Sequence, residues 1–248
     1  MLDYELRAHR GGPIAIGPTD QFAGPRANPI PSITRLDRSI KERYETDVKL
    51  VNWWLYALLL AWVTLGTYAL YVLVKRITRI DSFSARKRDY YGALLEWTRR
   101  RSKSQGQIHL VHSELLELET KLERAYTETL APIRAGRSLL LSLATLGLYG
   151  LFVIHRMNRY WSDAELLEQE FDDRLSRIWL KLGIVRVPIH YSRSPGKQRS
   201  FGKYLGLSFL TLGVWAAVWD YKLHTDPDSL YADLHRVEDS VLATVRIS

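Results

Sequence analysis

Three stretches of this chain write almost the same apolar phrase: TLGTYALYVLVKR from Thr64, TLGLYGLFVIHR from Thr145 and TLGVWAAVWDYK from Thr211. Nothing else in the sequence restricts the fold as strongly. Each phrase lies inside an apolar block, at residues 50–74, 138–154 and 204–219, and the rest of the chain is strongly charged. The mean hydropathy of -0.18 averages over this contrast. The pattern predicts an all-α membrane protein with three repeated membrane elements, each followed by an amphipathic cytoplasmic helix.

Block length leaves two geometries open. At 1.5 Å per residue a span needs ~20 apolar residues. The first block is long enough, whereas the other two reach only about 24–26 Å against a hydrocarbon core of about 30 Å. In one geometry each block is a short transmembrane helix, and Gly66, Gly147 and Gly213 are close-packing points. In the other, each block is a re-entrant hairpin that turns at Thr-Leu-Gly. There the glycine supplies unusual dihedrals, and the hydroxyl of Thr64, Thr145 or Thr211 serves the freed backbone groups.

The charged flanks favour hairpins. Residues 75–137 hold 14 basic and 8 acidic residues, and residues 155–203 hold 10 and 6. Both connections therefore read as cytoplasmic, which three single spans would not allow. The columns around the glycines align further. Tyr68, Tyr149 and Trp215 stand two after it; Lys75, Arg156 and Lys222 stand nine after it; Ala61, Ser142 and Ser208 stand three before each Thr. Aromatic and basic residues at fixed distances from a break suit interfacial anchoring.

A short apolar run, then Thr-Leu-Gly, an aliphatic residue and an aromatic, then a run ending in a base, resembles small prokaryotic membrane domains of unknown function with a Thr-Leu-Gly-Ile-Tyr core. Thr67 stands at the usual Ile position in the first copy, and Trp215 replaces Tyr in the third. The resemblance implies membrane embedding in three diverged copies and brings no activity with it.

The polar parts divide as follows. Residues 1–32 carry five of the nine prolines and read as an extended tail. Residues 33–49 read as an amphipathic helix, with Leu36, Ile40, Tyr44 and Val48 on one face. The first repeat, 50–131, holds the membrane element 50–74, a basic linker and a coiled-coil-like helix over 108–130. The second, 132–200, holds 138–154 and a helix over 163–182. The third, 201–248, holds 204–219 and a helix over 228–245. Val111, Leu115, Leu118 and Leu122 form an a/d-like seam for helix contact, within the chain or between protomers.

With a net charge of +8, basic residues beside membrane segments point to anionic lipid headgroups. The candidates are Lys75, Arg76, Arg86, Lys87, Arg88, Arg99, Arg100, Arg101, Arg137, Arg156, Lys203 and Lys222. Nucleic acid is disfavoured as a partner because no reading motif accompanies the charge. There is no cysteine, so thiolate chemistry and disulfides are excluded. No nucleophile elbow, phosphate loop or dinucleotide fingerprint is present. His109 and His112, with Glu114 and Glu117 near, share a helix face but lack the pattern of a zinc protease. Asp220 is the one acid at the edge of an apolar block. No catalytic, cofactor or metal residue is expected.

The expected function is a non-enzymatic membrane scaffold, membrane-shaping protein or accessory subunit of a larger membrane complex, held by helix contacts to itself or to another membrane protein. A small channel or transporter, and a membrane-surface enzyme, remain as alternatives. The first apolar block begins near residue 50 behind a mixed-charge segment, which is not how a cleavable signal begins. The N-terminus and most polar segments are therefore expected on the cytoplasmic side of a prokaryotic inner membrane.

Overall fold

The computed structural model describes residues 32–47, 49–57, 63–64, 67–187 and 200–248. Residues 1–31 of the expected tail 1–32, Val48, residues 58–62 and Leu65-Gly66 of the first apolar block, and residues 188–199 lie outside them. Among the described residues the fold is all-helical, with no strand. In chain order the elements are α1 (Ser32–Thr46), the short α2 (Trp53–Leu55), α3 (Thr67–Ser104), α4 (Ile108–Arg124, continued by a π-helical turn, Ala125–Thr129), α5 (Ala135–Ala144), α6 (Leu148–Lys181), α7 (Phe201–Leu210) and α8 (Val214–Ile247). No described helix is long and apolar enough to cross a membrane.

Several expected boundaries dissolve. The stretch taken as a basic linker is the body of α3, which runs about 57 Å at the usual rise. Likewise α6 and α8 continue unbroken from the apolar block into the amphipathic helix expected at 163–182 or 228–245. Pro227 lies within α8. An apolar face continuous with the charged segment keeps each helix growing, because burial outweighs local composition.

Helices α3, α6 and α8 run parallel. Their cross-contacts pair residues at similar distances from the glycine that precedes each helix. Lys87 and Glu168 are ion-paired at 3.0 Å, each twenty-one residues past its glycine. The Phe83 and Tyr231 rings lie 5.6 Å apart, seventeen and eighteen residues past theirs. Trp219 donates to Asn158 Oδ1 at 3.1 Å. The N-terminal ends of all three helices therefore lie at one end of the bundle.

Two helices run antiparallel to these. Helix α1 lies along α3 and α8: Arg35 bonds Asp89 at 2.6 Å, Ser39 donates to the Arg86 carbonyl, and Arg43 bonds Asp239 at 2.8 Å. Helix α4 runs antiparallel to α3 and α6, tied by Arg99–Glu119 at 2.5 Å, Arg88–Glu123, Arg174–Glu117 and Lys181–Glu114. Val111, Leu115, Leu118 and Leu122 are all buried here. Their seam is therefore filled within the chain. Lys121 pairs with Glu170 of α6.

Most of the buried apolar residues form one cluster, from Leu36 through Phe83, Tyr90, Tyr91 and Leu94 to Leu175, Trp179 and Leu234. Inside it sits a buried ionic group. Arg86 bonds Asp47 at 2.7 Å and Glu238 at 2.8 Å. Lys87 meets Glu168 and Glu238 at 3.0 Å, with the rings of Phe83, Tyr90 and Tyr91 around its ammonium. Arg86 and Lys87 are thus not headgroup ligands. Both are buried on the core-facing side of α3 and neutralised by carboxylates from three other parts of the chain.

Candidate functional site: the hairpin end

Thr145 and Thr211 stand at the junction of two helices. Helix α5 rises to Ala144 and α6 descends from Leu148; α7 rises to Leu210 and α8 descends from Val214. The two turns share one set of hydrogen bonds. Gly147 N donates to Ser142 O at 2.7 Å, and Leu146 N to Leu143 O at 3.2 Å. Gly213 N donates to Ser208 O at 2.8 Å, and Leu212 N to Phe209 O at 3.2 Å. This pair of bonds is a Schellman ending, which satisfies the last carbonyls of the rising helix. The threonine then starts the next helix, because Thr145 Oγ1 accepts from Tyr149 N and Thr211 Oγ1 from Trp215 N, both at 2.9 Å. Thr64 Oγ1 accepts from Tyr68 N at 3.0 Å, so the same helix start recurs in the first copy.

The glycine is the bend, not a packing point. Gly147 and Gly213 have φ of +92° and +93°, and a Cβ at either would meet no atom within 4 Å. The legs close instead at small residues: a Cβ on Gly150 would sit 3.7 Å from Ser142 Oγ.

The leucines are the unusual residues. The same Schellman bonds also end α3 and α6, through Gln107 N to Ser102 O and Ile184 N to Trp179 O. There the left-handed position is held by Gly106 and Gly183. At the hairpin tips it is held by Leu146 (φ 51°) and Leu212 (φ 48°). A left-handed residue with a Cβ costs roughly 1–2 kcal/mol. Both leucines are 96% exposed, so no contact within the chain offsets that cost. Around them Leu140, Leu143, Leu148, Phe209, Leu210 and Val214 are exposed too, as are Val63 and Leu70 on either side of the first Thr-Leu-Gly in sequence.

Behind these tips stands a belt of cations. Lys75, Arg137 and Lys203 are exposed, and Arg156 and Lys222 are half-buried. Lys75 lies 5.6 Å from the Tyr71 ring, and Lys222 lies 5.9 Å from that of Tyr204. Arg156 donates to the Ala131 carbonyl at 2.6 Å. Three of the five follow their glycine by nine residues, and Arg137 and Lys203 precede theirs by ten, so the belt lies at one level.

The remaining candidate cations belong elsewhere. Arg88 and Arg99 pair with α4, Arg100 pairs with Glu96, and Arg101 lies near the far end of α3. All four are more than twenty residues along the helix from the tip. Arg76 is buried at the root of the hairpins and bonds both carboxylate oxygens of Asp220, at 2.5 and 3.1 Å.

That root is a clasp that the sequence did not reveal. Trp53 Nε1 donates to Asp220 Oδ2 at 2.8 Å, and His224 Nε2 donates to the Val51 carbonyl at 2.6 Å. His224 Nδ1 is then the unprotonated nitrogen, and it accepts from Arg76 at 3.1 Å. Burial lowers the His224 pKa, and the Arg76 charge adds to that. Burial alone would raise the Asp220 pKa, but the Arg76 hydrogen bond and charge outweigh it and the carboxyl titrates lower than usual. A conserved-looking motif could not have announced this group, since its members lie in three separate segments. His109 and His112 stand exposed on α4, and among the described residues no third ligand joins them.

No family model, curated protein or solved structure matches the chain.

Proposed function

We propose that this protein is a one-sided membrane scaffold. Three helical hairpins enter one leaflet, and the helical body stays on the cytoplasmic side of a prokaryotic inner membrane. The observation that carries this reading is the pair of leucines at the tips. A leucine that is both exposed and left-handed is unfavourable twice over in water. In hydrocarbon its side chain gains about 1.5–3 kcal/mol, enough to offset the backbone cost.

The belt supports the same placement. Nine residues of helix put the cations about 14 Å behind the tip, close to half of a core of about 30 Å. Tips at mid-bilayer would leave Lys75, Arg137, Arg156, Lys203 and Lys222 at one layer of phosphates. Anionic lipids are then the natural ligands, each exposed charge worth ~1 kcal/mol near the surface. Inclusions that enter one leaflet only add area to that side, which suits a protein that shapes membrane or anchors a larger complex. We read the role as structural rather than enzymatic, because the ionisable groups at the hairpin roots, Arg76, Asp220 and His224, are engaged with one another.

Flotation with phosphatidylcholine–phosphatidylglycerol vesicles tests the reading. The full chain should float, and the double variant Leu146→Asp/Leu212→Asp should remain with the unbound fraction. A chain that does not float, or a double variant that floats equally well, would refute it.

A further inference from the structure

A cleft of about 370 Å³ runs between α3 and the chain that leaves α1. Its two walls run in opposite directions. Ser39 of α1 bonds the Arg86 carbonyl, and the Val51 carbonyl meets His224 beside Arg76. Residues 39–51 therefore climb toward the tips while α3 descends from them. The lining is graded along that axis on both walls. Nearest the tips it is apolar, from Leu50, Val51, Tyr68, Tyr71 and Val72. Next come the cations Lys49, Lys75 and Arg79, with Thr78 among them. Farthest from the tips are Glu45, Thr46 and Ser82.

The cations are under-matched. Among the described residues neither Lys49 nor Lys75 pairs with a carboxylate. The Arg79 side chain is only 5% exposed. Its Nε donates to Tyr231 Oη at 2.9 Å and its Nη2 donates to Asp228. Its Nη1 makes no hydrogen bond among the described residues, yet it is not sealed from the surface. Three cations thus face two carboxylates, Glu45 and Asp228, a net charge of +1.

We infer that the cleft is the headgroup site of one phosphatidylglycerol, its phosphodiester held by Lys49, Lys75 and Arg79 Nη1. A monoanion matches the net charge, and hydrogen bonds from Lys and Arg to a phosphate are among the strong ones. The gradient matches a phospholipid lying lengthwise, with an acyl chain at the aromatic end, phosphate in the middle and headgroup beyond. At the far end the Thr46 hydroxyl already donates to Asp47 Oδ1 at 2.7 Å, so it and Glu45 can only accept. They call for a head that donates, as glycerol hydroxyls do. An ethanolamine head also donates, but its lipid carries no net charge to match +1. Depth agrees. Lys75 and Arg79 follow Gly66 by nine and thirteen residues, about 14 and 20 Å. With the tips at mid-bilayer, those depths bracket the layer between the hydrocarbon edge at about 15 Å and the outer edge at about 20–22 Å.

This inference rests on the membrane reading, and its test separates the two. The full chain in dodecyl maltoside is incubated with equimolar phosphatidylglycerol, phosphatidylmethanol and phosphatidylethanolamine of the same acyl chains. Retained lipid is counted by native mass spectrometry. Phosphatidylmethanol keeps the phosphodiester charge without the glycerol hydroxyls. The natural chain should keep phosphatidylglycerol several-fold over either competitor. Lys49→Gln/Lys75→Gln should abolish that preference. Arg137→Gln/Lys203→Gln, the same charge change on the belt outside the cleft, should leave it intact. Glu45→Ala should bring the two anionic lipids level. Free glycerophosphoglycerol, the headgroup without acyl chains, should not displace the lipid at equal concentration. No preference in the natural chain overturns the site, as does a preference lost in both double variants or in neither. An undiminished preference in Glu45→Ala, or displacement by the free headgroup, overturns it too. Flotation of the same preparations reports insertion. A chain that floats without selecting phosphatidylglycerol overturns the site alone. A chain that does not float overturns the membrane reading with it.

Discussion

Leu146 and Leu212 set two demands against each other. Glycine relieves the left-handed backbone, so Leu146→Gly/Leu212→Gly should stabilise the body in a mild detergent by about 1 kcal/mol per site. The same change removes the apolar tip and should weaken vesicle binding. A denaturant midpoint that rises while flotation falls is the expected outcome. Buried Lys87 behaves differently. Lys87→Met leaves Glu168 and Glu238 without that cation in the core and should cost about 3–5 kcal/mol, read as a lower midpoint with or without lipid. Titration adds a third handle. The His224 pKa lies below its ordinary 6.5, so the unfolded chain binds the extra proton first. Its contribution is complete above that value and is lost as pH falls through the lower folded pKa. For Glu238, burial would raise the pKa, but Lys87 and Arg86 lower it on balance, so its contribution fades only in stronger acid, below 4.5. Stability measured against pH should decline first below about 6.5, and His224→Gln should remove that first decline.

At the scale of the helix and the hairpin, position along the element sorts the basic residues. Arg137→Glu and Lys203→Glu lie in the belt. Each should weaken partition onto phosphatidylglycerol vesicles by at least about 1 kcal/mol, roughly five-fold. Arg88→Glu, well down α3, should change it less than two-fold, because at physiological salt screening acts over about 8 Å. Composition alone could not make this distinction. Arg86-Lys87-Arg88 reads as a run for lipid headgroups, yet Ile80, Phe83, Lys87, Tyr90, Tyr91 and Leu94 share one face at helical spacing. That stripe was legible, and Lys87 lay on it. The carboxylates that make its burial tolerable, Glu168 and Glu238, are far away in sequence, and so the pairing was not. The Thr-Leu-Gly turns were legible for the opposite reason. Their hydrogen bonds are local, and the glycine, threonine and flanking aromatic all lie within five residues. The long unbroken α6 and α8 were missed because charged residues end an apolar block without ending a helix.

Across the whole molecule, three outgoing helices of similar length place Ser104 and Ser248 at the end opposite the hairpins. Because the chain has no cysteine, single cysteines there can be labelled without background. In spheroplasts both should react only after the membrane is opened. Labelling of the two from opposite faces would show that an apolar block crosses the membrane, and the one-sided arrangement would then be wrong.

The hairpin turn also has an electrical consequence. Peptide dipoles sum along a helix to about half a positive charge at its N-terminus and half a negative charge at its C-terminus. A lone helix end pushed into hydrocarbon would carry that half charge where there is no water to screen it. At Thr145-Leu146-Gly147 and Thr211-Leu212-Gly213 the C-terminus of the rising helix and the N-terminus of the descending one meet within a single turn. The two half charges nearly cancel at the apex. In the proposed placement the deepest point of the molecule is therefore almost field-free, while the belt of cations stays two to three turns behind it.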